Sequence, residues 1–255
     1  MMVSMHPMSV NVNTRMRWTV LRKLPFVANC KGKRVLDLAA GLGFFSAQLA
    51  EAGAEVLATD VHESSLRYLS ENFVLPVALL DLEHEEYPTG PFDLIFLGEV
   101  LEHLHAPGEA VAKAAKCLAP GGVLLLTTPA LEGPLINTPG KRLGHAHGAE
   151  KHEREGFTQQ ELTRLVQDAG LIPQGHVYSI FYFSELFMQL TKLIYLLKSR
   201  SYGGQADMVA SMNSISYKAL RAIYALVHPI FLAEEVLCRA LNMRGNCHIL
   251  WAVKP

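Results

Sequence analysis

The stretch from Arg34 to Asp60, RVLDLAAGLGFFSAQLAEAGAEVLATD, sets the architecture of the chain. Val35, Leu36 and Leu38 form a short apolar run interrupted by one carboxylate, Asp37. The small-residue turn Ala39-Ala40-Gly41-Leu42-Gly43 follows. Phe44, Phe45, Leu49, Ala50 and Ala52 then recur at helical spacing as far as Gly53. A second apolar run, Val56-Leu57-Ala58, ends on Asp60. Strand, glycine turn, helix and strand make a βαβ unit, with a right-handed crossover. A Cβ at Gly41 or Gly43 would obstruct a ligand lying close to the backbone. The N–H groups that open the next helix point to the same place. An acid closing the second strand can accept hydrogen bonds from ribose hydroxyls. The unit predicts a nucleoside-binding crevice.

A dinucleotide fingerprint would read G-x-G-x-x-G after the first strand. The matching positions are Gly41, Gly43 and Ser46, so the third glycine is absent. Asp37 lies inside the first strand, where it would repel a pyrophosphate and attract an ammonium group. Val35 to Gly43 resembles motif I of the class I S-adenosylmethionine-dependent methyltransferases, usually V-L-D-L-G-C-G-x-G. Ala39-Ala40 departs from that pattern, which commonly has glycine and another small residue. The resemblance implies that Asp37, Ala39, Gly41 and Gly43 hold the aminocarboxypropyl end of S-adenosylmethionine. It also implies that Asp60, followed by Val61, holds the ribose. A glycine turn that only joins strand to helix is the competing reading.

Composition agrees with a soluble enzyme. The chain has 255 residues, half of them hydrophobic and 18% charged, with a net charge of −1 and no basic run. Its length allows a substantial core in one large domain or one domain with an elaboration. A nucleic-acid footprint is not expected. Cys30, Cys117, Cys238 and Cys247 lie far apart in sequence, which suits reduced thiols in a cytosol better than disulfides or a zinc site. The start, MMVSMHPMSV, has neither the charged region nor the apolar run of a signal peptide. These features predict a cytoplasmic protein.

Residues 1–12 are expected to be a loose arm. Met16, Val20, Leu21 and Leu24 predict a helix within 13–29 that Pro25 ends or kinks. It could serve as a flap over the cofactor or pack as a surface helix on the sheet. After Asp60, a helix over about 63–72 leads to a third strand, Val77-Ala78-Leu79-Leu80, ending on Asp81-Leu82. By resemblance, Asp81 accepts a hydrogen bond from the adenine amino group and Leu82 packs on the ring; a simple turn aspartate is the alternative. The fourth strand, Phe92 to Leu97, runs into Gly98-Glu99-Val100-Leu101-Glu102-His103-Leu104. FDLIFLGEVLEHL resembles the branch that contains the ubiquinone-type O-methyltransferases. Gly98 and Glu99 would then border the methionine part of the cofactor. Glu99 and His103 share a face if that turn is helical, and His103 either acts chemically or caps and packs.

Pro107 suits a helix first turn, and Pro120-Gly121-Gly122 is expected to stop that helix before strand five, Val123 to Thr128. L-x-P-G-G-x-L-x-x-x-T-P also matches the family. Strands that are apolar throughout and alternate with helices indicate a parallel sheet covered on both faces. Gly41 to Gly43, Asp60, Asp81 and Gly98 all fall at strand carboxyl ends, where ligands bind to such sheets.

The long segment Ala130–Gly156 carries His145, His147 and His152. A metal site, a general base and an exposed polar loop compete there. Methyl transfer from a sulfonium needs no metal, so none is expected. A histidine could take a proton from a hydroxyl nucleophile. His152 is the first choice because HEREGFTQQEL resembles the segment after the fifth strand in this family. Thr158 and Glu161 predict a capping box for a helix bearing Leu162, Leu165, Val166 and Ala169, stopped by Gly170.

The sixth strand is expected within Leu171–Ile180 and the last within Cys247–Val253. The family joins them by a short turn, whereas here about 65 residues intervene. Leu186, Phe187, Leu190, Leu193, Ile194 and Leu197 form one apolar stripe, with Gln189 and Lys192 opposite. Leu220, Ile223, Tyr224, Val227, Ile230 and Phe231 form another, which Pro229 is expected to break. Ser201–Ser214 reads as a link. Burial of a large apolar side chain contributes about 1.5–3 kcal/mol, so both stripes should find cover. Seven Lys/Arg face four acids in this insertion. A helical cap admitting an apolar or lipid-like acceptor leads the readings, ahead of a homodimer interface and a peripheral contact with the inner membrane surface. Packing on the sheet without a functional role is the plain alternative.

The expected architecture is an α/β, Rossmann-like, doubly wound and mostly parallel seven-stranded sheet, with an antiparallel last strand and a helical insertion before it. Its parts are an N-terminal arm and helix (1–30), a cofactor-binding core (31–180), the insertion (181–245) and the last strand (246–255). The expected activity is methyl transfer from S-adenosylmethionine to a small, apolar acceptor, with O-methylation favoured. A nicotinamide-dependent oxidoreductase and a catalytically silent cofactor-binding scaffold are the alternatives.

Overall fold

The computed structural model describes residues 6–135, 152–197 and 214–255. Seven strands form one sheet in the order β3-β2-β1-β4-β5-β7-β6. They are β1 (Arg34–Leu38), β2 (Glu55–Asp60), β3 (Val77–Leu79), β4 (Phe92–Gly98), β5 (Leu118–Pro129), β6 (Ile172–Ser179) and β7 (Cys247–Val253). Strands β3, β2, β1, β4 and β5 pair in parallel. β7 enters antiparallel between β5 and β6. The expected Rossmann-like, doubly wound fold is the observed one.

Period-two alternation explains how both faces are covered. Leu36, Leu38, Ile95, Leu97, Leu124 and Leu126 face α5 (Pro107–Cys117) and α6 (Gln159–Asp168), meeting Val111, Ala114, Leu162 and Val166. Val35, Leu94, Phe96 and Leu125 face α1 (Val12–Leu21), α2 (Pro25–Ala28) and α3 (Phe44–Glu51). The remaining crossover helix, α4 (Glu63–Phe73), buries Leu66 and Leu69. Strand β5 starts earlier than PGG suggests. Leu118 pairs with Phe92, an irregularity follows, and regular pairing resumes at Val123 with Leu94. The proline and glycines ride on the ladder as a bulge instead of separating helix from strand.

Helix α6 starts as its sequence dictates. Thr158 Oγ1 accepts the Glu161 N–H at 3.2 Å, and Glu161 Oε2 accepts the Thr158 N–H at 2.7 Å. Thr158→Ala removes half of this reciprocal cap and is expected to lower stability by about 1 kcal/mol, read as a shifted urea midpoint with an unchanged slope.

The described part of the expected loose arm, residues 6–11, is folded against the core. Residues Pro7–Val10 form a 3-10 turn, and His6 is buried. His6 Nε2 donates to the Leu42 carbonyl at 2.8 Å while Nδ1 accepts the Met8 N–H at 3.1 Å. The ring also stacks on Phe73 at 5.2 Å. Burial holds its pKa down at about 4, so a neutral imidazole pins the N-terminus onto the glycine turn. An isolated histidine in a polar segment gives no sequence sign of such a socket.

The insertion leaves the sheet after Ser179 and returns at Cys247, which are paired partners. It forms α7 (Tyr182–Leu197) and α8 (Ile215–Ala240); the proposed Ser201–Ser214 link lies, up to residue 213, outside the described residues. Helix α8 runs through Pro229 instead of breaking there. The proline ring sits on the exposed side, where water can replace the lost backbone bond. Glu234 of α8 accepts the Phe183 and Ser184 N–H groups at 2.6 and 3.1 Å. It thereby caps the N-terminus of α7, where a carboxylate also meets the favourable end of the helix dipole. Asn246 clasps the same junction through the Ile180 and Phe181 carbonyls.

Of the apolar stripe of α7, Phe187 packs against Phe231, but most of it finds no cover among the described residues. Leu186, Leu190, Leu193 and Ile194 are exposed, while Ser184, Glu185 and Gln189 turn inward. Glu185 accepts from Gln189 at 3.0 Å, and Ser184 bonds Glu234. Helix capping and this polar pairing set the rotation of α7. In α8, Tyr224 and Phe231 pack inward while Ile223 and Ile230 stay outside.

Candidate active site

Parallel register brings the strand tips together. Leu38 pairs with Thr59 and with Leu97, Asp60 pairs with Leu79, and Gly98 pairs with Thr127. Asp81-Leu82, Asp60-Val61, the Ala39–Gly43 turn and Gly98-Glu99 therefore follow one another along a single sheet edge.

Asp37 is buried and shares the parity of Val35, which turns it toward α3. Ser46 Oγ donates to its Oδ2 at 2.5 Å. Ser46, which in a dinucleotide fingerprint would be a glycine, is thus the hydrogen-bond partner of the buried acid. Burial pushes the Asp37 pKa up to about 7 against the pull of Ser46, and the nearby Asp60 charge adds to the rise. A buried acid held near neutrality is well placed to receive a cation.

The turn itself is left-handed at three places: Ala39, Gly41 and Gly43 have φ of 57°, 56° and 69°. Gly43 is glycine for a packing reason, since a Cβ there would come within 1.9 Å of Leu69 Cδ2. Gly98 is likewise set by packing, because its Cβ would meet the Phe96 ring at 2.5 Å. Close approach of a ligand is not required to explain either one. Asp60 Oδ2 accepts the Gly41 N–H at 2.7 Å and Oδ1 accepts the His62 N–H at 2.8 Å. The acid that closes β2 therefore also holds the turn after β1. Val61 is exposed and Leu82 buried. Asp81 is half-exposed; its hydrogen bond to His84 and the Glu83 N–H hold its carboxyl below the usual range.

Beyond Gly98 the tips of β4, β5 and β7 meet α1. Glu99, at φ 55°, adopts a conformation uncommon outside glycine. It accepts from Asn13 Nδ2 at 3.2 Å and lies 3.6 Å from the Arg17 guanidinium. Arg17 is buried, donates to Thr127 Oγ1 at 2.8 Å and lies over the Phe45 ring at 5.1 Å. Glu99 and His103 do not share a helical face. Only Leu101–His103 forms a 3-10 turn, and Glu99 turns to α1 instead. Glu102 is buried, accepts from Thr128 Oγ1 at 3.2 Å, and has a pKa raised well above normal by burial and then by the Glu99 charge.

Sequence reading missed Asn13, Arg17, Ser46, Glu102 and Thr127. One signal was available: Asn13 and Arg17 are four apart on the helix that buries Met16 and Val20, an awkward place for a guanidinium without a partner.

His152 lies beside His103, with ring centroids 4.3 Å apart. The Glu102 carbonyl brings them together by accepting the Glu153 and Arg154 N–H groups at 3.0 and 3.2 Å. His145 and His147 fall outside the described residues. Among the described residues no cluster of His, Cys, Asp and Glu could hold a metal ion, and no helix is long and apolar enough to cross a membrane.

Comparison with known proteins places this geometry in context. A family model described as a methyltransferase domain matches residues 12–172. The chain is 31% identical over 165 residues to a ubiquinone biosynthesis O-methyltransferase of Bordetella avium, covering 57% of this chain and 64% of that one. It is 35% identical over 107 residues to the protein of the same name from Aromatoleum aromaticum, covering 40% and 46%. A tRNA U34 carboxymethyltransferase of Methylococcus capsulatus is 34% identical over 116 residues, covering 42% and 35%. The matches thus span about half the length of these curated relatives. An S-adenosylmethionine-dependent methyltransferase from Mesorhizobium loti superposes with a TM-score of 0.59 at 17% identity, covering 95% of this chain and 100% of that one, which shows a shared fold.

Proposed function

Because the chain belongs to the methyltransferase-domain family, we propose that it is an S-adenosylmethionine-dependent methyltransferase acting on a small, apolar acceptor, with oxygen the favoured methylated atom. The alignment of Asp37, Asp60, Asp81 and Gly98 along one sheet edge carries this reading. The donor set fits the cofactor. Asp37 would accept from its ammonium group, Asp60 from the ribose hydroxyls and Asp81 from the adenine amine. Leu82 would pack on the base, and the Gly98-Glu99 backbone would border the methionine part. When bound, S-adenosylmethionine supplies a methyl group on a positively charged sulfur. The chain's task is then to align a nucleophile with that methyl, and alignment alone can supply several kcal/mol. His152, paired with His103, is the group proposed to take the acceptor's proton at an imidazole nitrogen. The same reading gives His145 and His147 tentative roles. The four cysteines form no disulfide, in keeping with a proposed cytoplasmic location.

The Asp37 assignment has a pH consequence. Its carboxyl is protonated below about 7 in the free protein, and an ammonium group favours the ionised form, so binding would release a proton. Affinity for S-adenosylmethionine is therefore expected to fall about five-fold from pH 7 to pH 6. Calorimetry across that range checks it, and Asp37→Asn should bind more weakly with a flatter pH profile.

Thermal shift with S-adenosylmethionine against NAD(H) tests the cofactor. Stabilisation by NAD(H) alone would sink the proposal in favour of an oxidoreductase. Labelled methyl transfer is then assayed with a small-molecule extract and with tRNA in separate reactions. Product only in the tRNA reaction would replace the small-molecule acceptor by RNA, and binding without turnover in either would leave a silent scaffold.

A further inference from the structure

The outer surface of the insertion combines two features. Tyr182, Phe183, Leu186, Leu190, Leu193 and Ile194 are all exposed. At 3.6 residues per turn they fall on one stripe of α7 about 120° wide. Ile215, Ile223, Leu226, Ile230 and Leu237 are exposed on one face of α8, along about 33 Å of helix. Exposed apolar surface on this scale marks an interaction site. The second feature is charge. The acids of the described insertion, Glu185, Glu234 and Glu235, are all buried, two of them spent on the junction with α7 and the sheet. Lys218, Arg221 and Arg244 remain exposed, as do Arg22 and Lys23 at the end of α1. The neighbouring Arg15 lies over the Tyr224 ring of α8 at 5.6 Å.

We propose that the exposed faces of α7 and α8 dock the protein on an anionic lipid bilayer surface, with their apolar stripes in the acyl boundary and Lys218, which borders the stripe of α8, at the headgroups. Amphipathic helices with basic borders bind such surfaces in plane. A second copy of the chain is a poorer occupant, since it would set one cationic border against another. A cap closing over the cofactor is also poorly served, because the polar side of α7 is the side turned to the protein. The insertion leaves and re-enters the sheet at the edge that carries Gly98 and Glu99. Docking would therefore bring that edge close to the lipid, within reach of acceptors dissolved there.

The test is sedimentation of the full chain with vesicles, without cofactor or acceptor, so its outcome is independent of methyl transfer. Equal parts of phosphatidylglycerol and phosphatidylcholine are compared with phosphatidylcholine alone. Wild type is expected to sediment with the anionic vesicles and to be released at high salt. Leu226→Glu/Ile230→Glu, at exposed positions, should fold normally by circular dichroism and lose at least about tenfold in binding. Lys218→Glu should lose several-fold. Absence of binding to anionic vesicles would overturn the proposal. Binding unaffected by the apolar-to-acid pair would do the same. So would light scattering that shows a dimer which those substitutions dissolve.

Discussion

Replacing Arg17 by methionine is expected to destabilise the fold by about 3 kcal/mol, the cost of leaving Glu99, the half-buried partner of a buried guanidinium, uncompensated. Methionine keeps most of the volume beside Phe45, so the loss is electrostatic more than steric. Arg17 bonds Thr127 and faces Glu99 from within the protein, and its charge also reaches Glu102. Without it, the donors left to Glu99 among the described residues are the Asn13 amide and the weak Cys247 thiol. Urea unfolding near pH 7.5 measures the loss. Adding Glu99→Gln to Arg17→Met removes the orphaned charge and should recover more than half of it. A double variant no more stable than Arg17→Met would show that Arg17 acts through packing and Thr127 alone.

Asp60→Ala is expected to weaken binding of S-adenosylmethionine by about 2–3 kcal/mol, or roughly 30- to 150-fold, because charge-assisted hydrogen bonds to the ribose would be lost. The structure adds a second source for the same loss: Asp60 fastens the Gly41 N–H, so the turn loosens as well. Asp60→Asn separates the two. Its amide oxygen can still accept the Gly41 N–H, while the second ribose acceptor and the charge are gone. An intermediate affinity with a small loss of thermal stability, since the His62 N–H then faces the amide nitrogen, is the expected result in calorimetry and thermal unfolding. Unchanged affinity in the alanine variant would remove Asp60 from the site.

Much of this arrangement was legible residue by residue. The apolar runs at 35–38, 56–58, 92–97, 123–128 and 247–253 all became strands, because continuous apolar segments of that length can only be buried on both faces. The acids and glycines at their ends lay where a parallel sheet collects its ligands. The capping box of α6 is a local interaction and needed nothing beyond four consecutive residues.

Other features depend on partners distant in sequence. His6 owes its burial to Leu42 and Phe73, Arg17 its position to Thr127 and Glu99, and the His103–His152 pair its existence to the Glu102 carbonyl. No periodicity records such encounters. The glycines show the same limit from the other side. Gly43 and Gly98 looked like concessions to a ligand, yet Leu69 and Phe96 already fill the space that a Cβ would need.

By itself, then, the amino-acid order determined the strands, their order of appearance and the acids at their tips, because burial and hydrogen bonding within a few residues decide those. Only the tertiary structure decided which way the insertion faces. The spacing of Leu186, Leu190 and Leu193 drew an amphipathic helix correctly but could not assign its inner side. Glu234 capping α7 and the Glu185–Gln189 pair turned the polar side in, because buried carboxylates must have donors, and the apolar side was left outward.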